Sequence, residues 1–204
     1  IDLSFRKFKG DFGFIFNAFY NQIEDYYFEQ ATNLSAGDGH DHSGHDHGEE
    51  EDTYTLPLFI FTAQDVTLHG FEAQAVWQVT DEFSWRVQGD IIRARLDIGG
   101  ELPRTPSARI ATELSYQSEN ISADLFVSHY FDQTHTAALE TSTDSYVMVD
   151  ANINYHFTLG QQDLAVYLKG KNLTDKYAQV HTSFLKDLTP LAGRSFAIGI
   201  RSSF

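Results

Sequence analysis

Residues 144–158 read DSYVMVDANINYHFT, and they alternate from end to end. Val147, Val149, Ala151, Ile153, Tyr155 and Phe157 fall on one side. Met148, Asp150, Asn152, Asn154 and His156 fall on the other. A two-residue period is the pleat of a β-strand, and no helical face collects either set. A strand of this kind separates an apolar environment from a wet one.

The same alternation recurs outward along the chain. Ser107–Gln117 sets Ala108, Ile110, Leu114 and Tyr116 against Ser107, Arg109, Glu113, Ser115 and Gln117. Gly70–Thr80 sets Phe71, Ala73, Ala75, Trp77 and Val79 against Glu72, Gln74 and Gln78. The last stretch sets Phe196, Ile198, Ile200 and Phe204 against Ala197, Gly199, Arg201 and Ser203. Nine strands are expected, at 1–8, 12–29, 56–80, 83–97, 107–117, 121–133, 144–158, 163–173 and 194–204. Their connections alternate in length. Lys9–Asp11, Asp81–Glu82, Ser118–Asn120 and Thr158–Gln162 are short; Gln30–Thr55, Ile98–Pro106, Thr134–Thr143 and Thr174–Gly193 are long.

These features favour a membrane barrel over a soluble sandwich. Most of the strands reach ~10 residues, where soluble strands average about 5–6. Tight turns on one rim and long loops on the other are the outer-membrane pattern. Phe12, Phe14, Phe83, Trp85, Tyr116, Tyr155, Phe157 and Phe204 gather near the short-turn rim, as an interfacial girdle does. The expected fold class is an all-β, transmembrane antiparallel β-barrel with short periplasmic turns and long extracellular loops. No run of 18 apolar residues offers a transmembrane helix, and no signal peptide is visible. The chain opens IDLSFRKF, already in strand alternation, and is read as a C-terminal portion of a longer protein.

The 204 residues carry a net charge of −15, which argues against nucleic acid as a partner. Aromatics make up 14%, and there is no cysteine, so neither a Cys/His zinc finger nor a disulfide framework is available. No nucleophile elbow, P-loop or HExxH helix is present, and no enzyme is expected.

The chemistry concentrates in residues 40–52, HDHSGHDHGEEED. His40, His42, His45 and His47 alternate with Asp41 and Asp46 among glycines and a serine. Imidazole nitrogen and carboxylate oxygen are first-row metal ligands, zinc usually taking four. The irregular spacing suits capture by many transient chelates, and Glu49, Glu50, Glu51 and Asp52 raise the local cation concentration. A merely solvated acidic loop and a histidine pH sensor are the plainer alternatives. His135, beside Asp132, and His181, near Asp187, lie in other long loops and are expected to join a shared metal site. His129 is a weaker candidate. His69 shares parity with Phe71 and is expected at an interface, and His156 is expected in the polar lumen face.

Two motifs near the C-terminus carry a resemblance. Asn172, Leu173, Asp175 and Tyr177 lie in LKGKNLTDKY. Gly193, Arg194, Phe196, Ile198, Gly199, Ile200 and Phe204 lie in GRSFAIGIRSSF. Together they resemble the last strands of TonB-dependent outer-membrane receptors, with Ala192 where that family usually has proline. VHTSFLKDLTPLAGR at 180–194, with the histidine-rich loop upstream, is similar to the zinc-uptake (ZnuD-type) branch. The resemblance implies that residues 1–204 are the last nine strands of a 22-stranded barrel. It also implies an N-terminal plug absent from this chain, a TonB box, and energy from the TonB complex. The ligand it implies is zinc, with outer-membrane lipid around the barrel. Haem or a ferric siderophore as cargo, and a surface metal-binding module without transport, remain open alternatives.

Overall fold

The computed structural model describes residues 1–36 and 56–203. They form nine strands: β1 (Asp2–Lys7), β2 (Phe12–Ala36), β3 (Leu56–Gln78), β4 (Phe83–Leu96), β5 (Arg109–Gln117), β6 (Ile121–Tyr130), β7 (Tyr146–Leu159), β8 (Gln162–Lys171) and β9 (Ser195–Ser203). They pair in sequence order into one antiparallel sheet. No α-helix occurs among the described residues. An antiparallel meander of amphipathic strands is what period-2 patterning joined by tight turns dictates.

The register carries one apolar face unbroken across the sheet. Phe16 faces Ala73, Ala73 faces Gly89, and Gly89 faces Ile110. Leu114 faces Leu125, which faces Ala151. Ile153 faces Leu168, which faces Ile198. Among the described residues no second layer covers this face: Phe71 is 49% exposed, Trp85 45%, Leu125 44% and Ile153 50%. Side chains of this size at mid-strand, open on one continuous surface, form a lipid-contacting outer wall. Leu125→Arg is therefore expected to destabilise the folded protein in lipid vesicles by about 2–4 kcal/mol, against under about 1 kcal/mol for Ser122→Arg on the opposite face. Urea titration of both variants measures the difference, and equal effects would refute the wall assignment.

The opposite face is polar and internally paired. Arg86 reaches Glu113 at 2.7 Å, Arg109 clamps Asp90 through Nε at 3.0 Å and Nη2 at 2.7 Å, and Lys171 donates to Asp150 at 2.9 Å. Such cross-strand ion pairs suit a wet lumen. The buried apolar cluster among the described residues is small: Phe28, Val66, Ala94 and Leu102. It lies where the long connections fold over the sheet. A single β-layer between lipid and water needs no larger core.

The strand ends differ from the expected ones by up to three residues, and by more at one place. β2 runs on to Ala36, so residues 30–36 are strand and not loop. They gain partners in the run Leu56–Ile60. β3 pairs with β4 only from Val66 onward, so β2 and β3 extend past their neighbours as a two-stranded hairpin. A bulge marks its base: Asp25 takes φ 50°, and its amide donates to Asp65 Oδ1 at 3.0 Å.

The NLTD segment after β8 folds into a tight knot. Asn172 takes φ 49° and is 1% exposed. Its Nδ2 donates to the carbonyls of Lys176 (2.9 Å) and Ala192 (3.0 Å), and its Oδ1 accepts the Lys176 amide (2.8 Å). Asp175 Oδ1 accepts the Arg194 amide at 2.8 Å. The two residues tie the end of β8 to the start of β9. Gly199 makes room one strand across for the Tyr167 ring, which a Cβ there would displace.

Candidate functional site: the loop platform on the long-connection rim

Three connections, 97–108, 131–145 and 172–194, meet above the polar face. Their polar side chains carry most of the joining, because such loops bring few apolar residues to bury. Gln133 Nε2 donates to the carbonyls of Thr105 (2.9 Å) and Pro106 (3.1 Å), and its backbone bridges Thr143. Lys186, 5% exposed, directs its ammonium at the Thr141 and Ser142 carbonyls and the Thr143 hydroxyl. Thr141 donates to Asp187 Oδ2 at 2.8 Å. Arg104 bonds Glu29 at 3.1 Å and stacks on Phe184 at 3.6 Å. Phe184 in turn packs edge-on against Phe59 of β3.

His181 sits at the middle of this platform with its side chain 1% exposed. Its Nδ1 shares a hydrogen bond with Thr143 Oγ1 at 2.7 Å. Its Nε2 lies 3.4 Å from Glu140 Oε1, without the alignment of a hydrogen bond. Glu140 also accepts the amides of Arg104 (2.8 Å) and Ala137 (3.0 Å). Burial pushes the Glu140 carboxyl up, but the His181 ring and these two amides outweigh it and hold the carboxyl below its ordinary 4.5. A folded-state value below the unfolded one stabilises the platform above that ordinary value, and the contribution is lost as pH falls through the depressed one. Exchange protection of the Arg104 and Ala137 amides is therefore expected to be flat from pH 8 to about 5 and to fall below pH ~4. Protection lost between pH 7 and 6 would contradict this.

Two cavities flank the platform. The outer one, about 610 Å³, is lined among others by Glu29, Gln64, Glu101, Arg104, Glu140 and Asp187. The inner one, about 180 Å³, lies against Asp90, Arg109, Tyr130, Tyr146 and His181. Gln64 Oε1 and His181 Nε2 are buried without a hydrogen-bond partner among the described residues.

The sequence-derived candidates separate. His40, Asp41, His42, His45, Asp46 and His47 lie outside the described residues. His181 is paired with Glu140, not Asp187, which sequence proximity suggested. His135 lines a groove on the outward wall, and His181 lines the inner cavity. His129 faces outward beside Val147, its ring 4.4 Å from that of Phe131. Among the described residues, no group of three His, Cys, Asp or Glu side chains could hold a metal ion. Glu140 and Lys186 carry no signal in the sequence, because neither sits in a periodic pattern or a ligand-like spacing.

A nine-stranded wall, apolar outside, ion-paired inside and capped on one rim by knitted loops, defines a piece of a large membrane β-barrel. The family described as "TonB dependent receptor-like, beta-barrel" matches residues 1–173, and the chain belongs to it. Barrels of this family are outer-membrane proteins. Solved structures agree in fold. The copper transporter OprC superposes with a TM-score of 0.77 at 15% identity, over 99% of this chain and 30% of that one. The FrpB iron transporter from Neisseria meningitidis (F3-3 variant) gives 0.69 at 16%, over 98% and 30%. The ferric yersiniabactin uptake receptor FyuA from Yersinia pestis gives 0.63 at 15%, over 100% and 29%. The chain thus spans about 30% of the length of the structures it matches.

Proposed function

We propose that residues 1–204 are the C-terminal portion of a 22-stranded receptor barrel that imports zinc across the outer membrane. Zinc capture falls to His40, Asp41, His42, His45, Asp46 and His47 in the connection between β2 and β3. The observation that carries the proposal is where that segment is inserted. It joins the two strands that outreach all their neighbours, on the rim that bears the long connections. Ligands there meet ions before anything enters the lumen. Below the hairpin lies the acidic 610 Å³ cavity, where Glu101 and Asp187 offer oxygen donors. The family supports transport driven by the TonB complex through a plug domain elsewhere in the protein.

Zinc is preferred over haem because His40, His42, His45 and His47 are interleaved with Asp41 and Asp46, a mixed nitrogen and oxygen donor set that suits a small cation. Copper(II) is the second reading. Histidine-rich sites bind it more tightly than zinc, and one fold neighbour, OprC, is a copper transporter. Isothermal titration of the intact receptor with Zn²⁺, Cu²⁺ and Ni²⁺, with and without residues 38–52, tests the assignment. A zinc isotherm unchanged by the deletion, together with unchanged zinc uptake, would reject the capture role.

A further inference from the structure

The outward wall is not uniformly greasy. Between the short-turn rim and the level of the Asp25 bulge, register places no aspartate or glutamate on the lipid face of any of the nine strands. The fully charged residues on it are Lys7 near the short-turn rim and Arg93 and Arg95 near the other. In a chain of net charge −15 this is a sharp segregation. Arg95 pairs with Glu101 at 3.3 Å, and Arg86, Arg104, Arg109 and Arg194 each reach a carboxylate. Arg93 is half-buried and, among the described residues, forms no hydrogen bond or ion pair. Its cross-strand neighbour is His69, whose ring lies 6.3 Å from that of Tyr20.

Arg93 also stands at the head of a groove. On the same wall a depression of about 730 Å³ runs between the Phe16 and Phe71 rings on one side and Ile110 and Phe131 on the other. Its floor is shallow because Ala73, Ala75 and Gly89 are small, and Arg93 and His135 line it as well. Arg93 lies eight residues along β4 from Trp85. At about 3.3 Å per residue and a tilt of ~40°, that is roughly 20 Å across the bilayer, close to the height of an apolar band. The guanidinium therefore comes to the level of lipid headgroups while the groove runs down among acyl chains.

We propose that this face is a binding site for a phosphate-bearing lipid, with an acyl chain in the Ala73–Gly89 groove and the phosphate on Arg93. The inference rests on the outward face contacting lipid. A guanidinium in a partly desolvated setting takes a phosphate through charge-assisted hydrogen bonds, and no carboxylate on this stretch of the wall competes. Asp132 borders the groove's upper end but forms no ion pair with Arg93. His69 and His135 add further donors on the same side.

The test uses the full receptor in detergent, stripped of lipid, and native mass spectrometry. The probes are dioleoyl phosphatidic acid, dioleoylglycerol with the same chains and no phosphate, and inorganic phosphate. Phosphatidic acid is expected to be retained about tenfold more tightly than dioleoylglycerol. Arg93→Gln removes that preference, Arg93→Lys retains part of it, and Arg6→Gln on the opposite face leaves it intact. Ala73→Phe, which fills the groove, weakens both lipids. The site is overturned if Arg93→Gln binds phosphatidic acid like the unmodified receptor. It is overturned equally if inorganic phosphate displaces the lipid as readily in Ala73→Phe as in its parent, which would leave an anion site without a groove. Folding of each variant into vesicles, read from its heat-modifiable gel mobility, reports the barrel assignment independently.

Discussion

Asn172→Ala is expected to destabilise the folded receptor by about 3–4 kcal/mol, the largest loss from any single side chain outside the wall. Three hydrogen bonds at a site 1% exposed disappear together. Each is worth about 1 kcal/mol net, and the Lys176 amide and two carbonyls lose their partner. A further ~1 kcal/mol comes from the backbone, because alanine tolerates φ 49° poorly while asparagine tolerates it well. Asn172→Gly separates the two terms: it relieves the backbone and keeps the hydrogen-bond loss, and is expected near 2–3 kcal/mol. Urea unfolding in lipid vesicles, followed by the fluorescence of Trp77 and Trp85, measures both. A loss below about 1 kcal/mol for the alanine variant would mean that the knot does not hold β9 to β8.

Deletion of residues 38–52 is expected to have the largest functional effect. Zinc uptake at limiting concentration should fall about tenfold or more, while uptake at saturating zinc changes little. The segment contributes the histidines and a run of four acids, Glu49–Asp52, so under the proposed capture role its loss should act on local concentration and first capture, not on the passage beyond. The β2–β3 hairpin should survive, since its pairing from Phe12 to Ala31 does not involve the deleted residues. Replacing only the histidines at 40, 42, 45 and 47 with asparagine distinguishes ligation from charge. If those replacements leave uptake intact while the full deletion abolishes it, the carboxylates are the working groups. If neither variant alters the concentration dependence, cargo capture lies elsewhere.

Asn172 and Asp175 tie β8 to β9 within the wall, and the proposed role of the 38–52 segment concerns what reaches it. Between them lies the loop platform, in which Lys186, Gln133, Glu140 and His181 cross-link three connections that share no apolar core. Buried polar groups of this kind pack only when nearly every donor has an acceptor. His181 Nε2 and Gln64 Oε1 are left over among the described residues, each beside a cavity.

The nine strands and the outward identity of Phe71, Ile110 and Ile153 were legible from period-2 alternation. That pattern is local: each residue's side follows from its neighbour's, and lipid on one side with water on the other leaves no ambiguity. The histidine-rich composition of residues 40–47 is equally local, and its ligand role stands as a proposal. The partnership of His181 with Glu140, the clasp of Lys186 on Thr141 and the place above a groove of Arg93, which has no ion-pair partner among the described residues, were not. Each joins residues from separate connections or opposite sides of the wall. Loop backbones have no periodicity to transmit, so only the folded sheet, by bringing the ends of three connections together, decides which side chains meet.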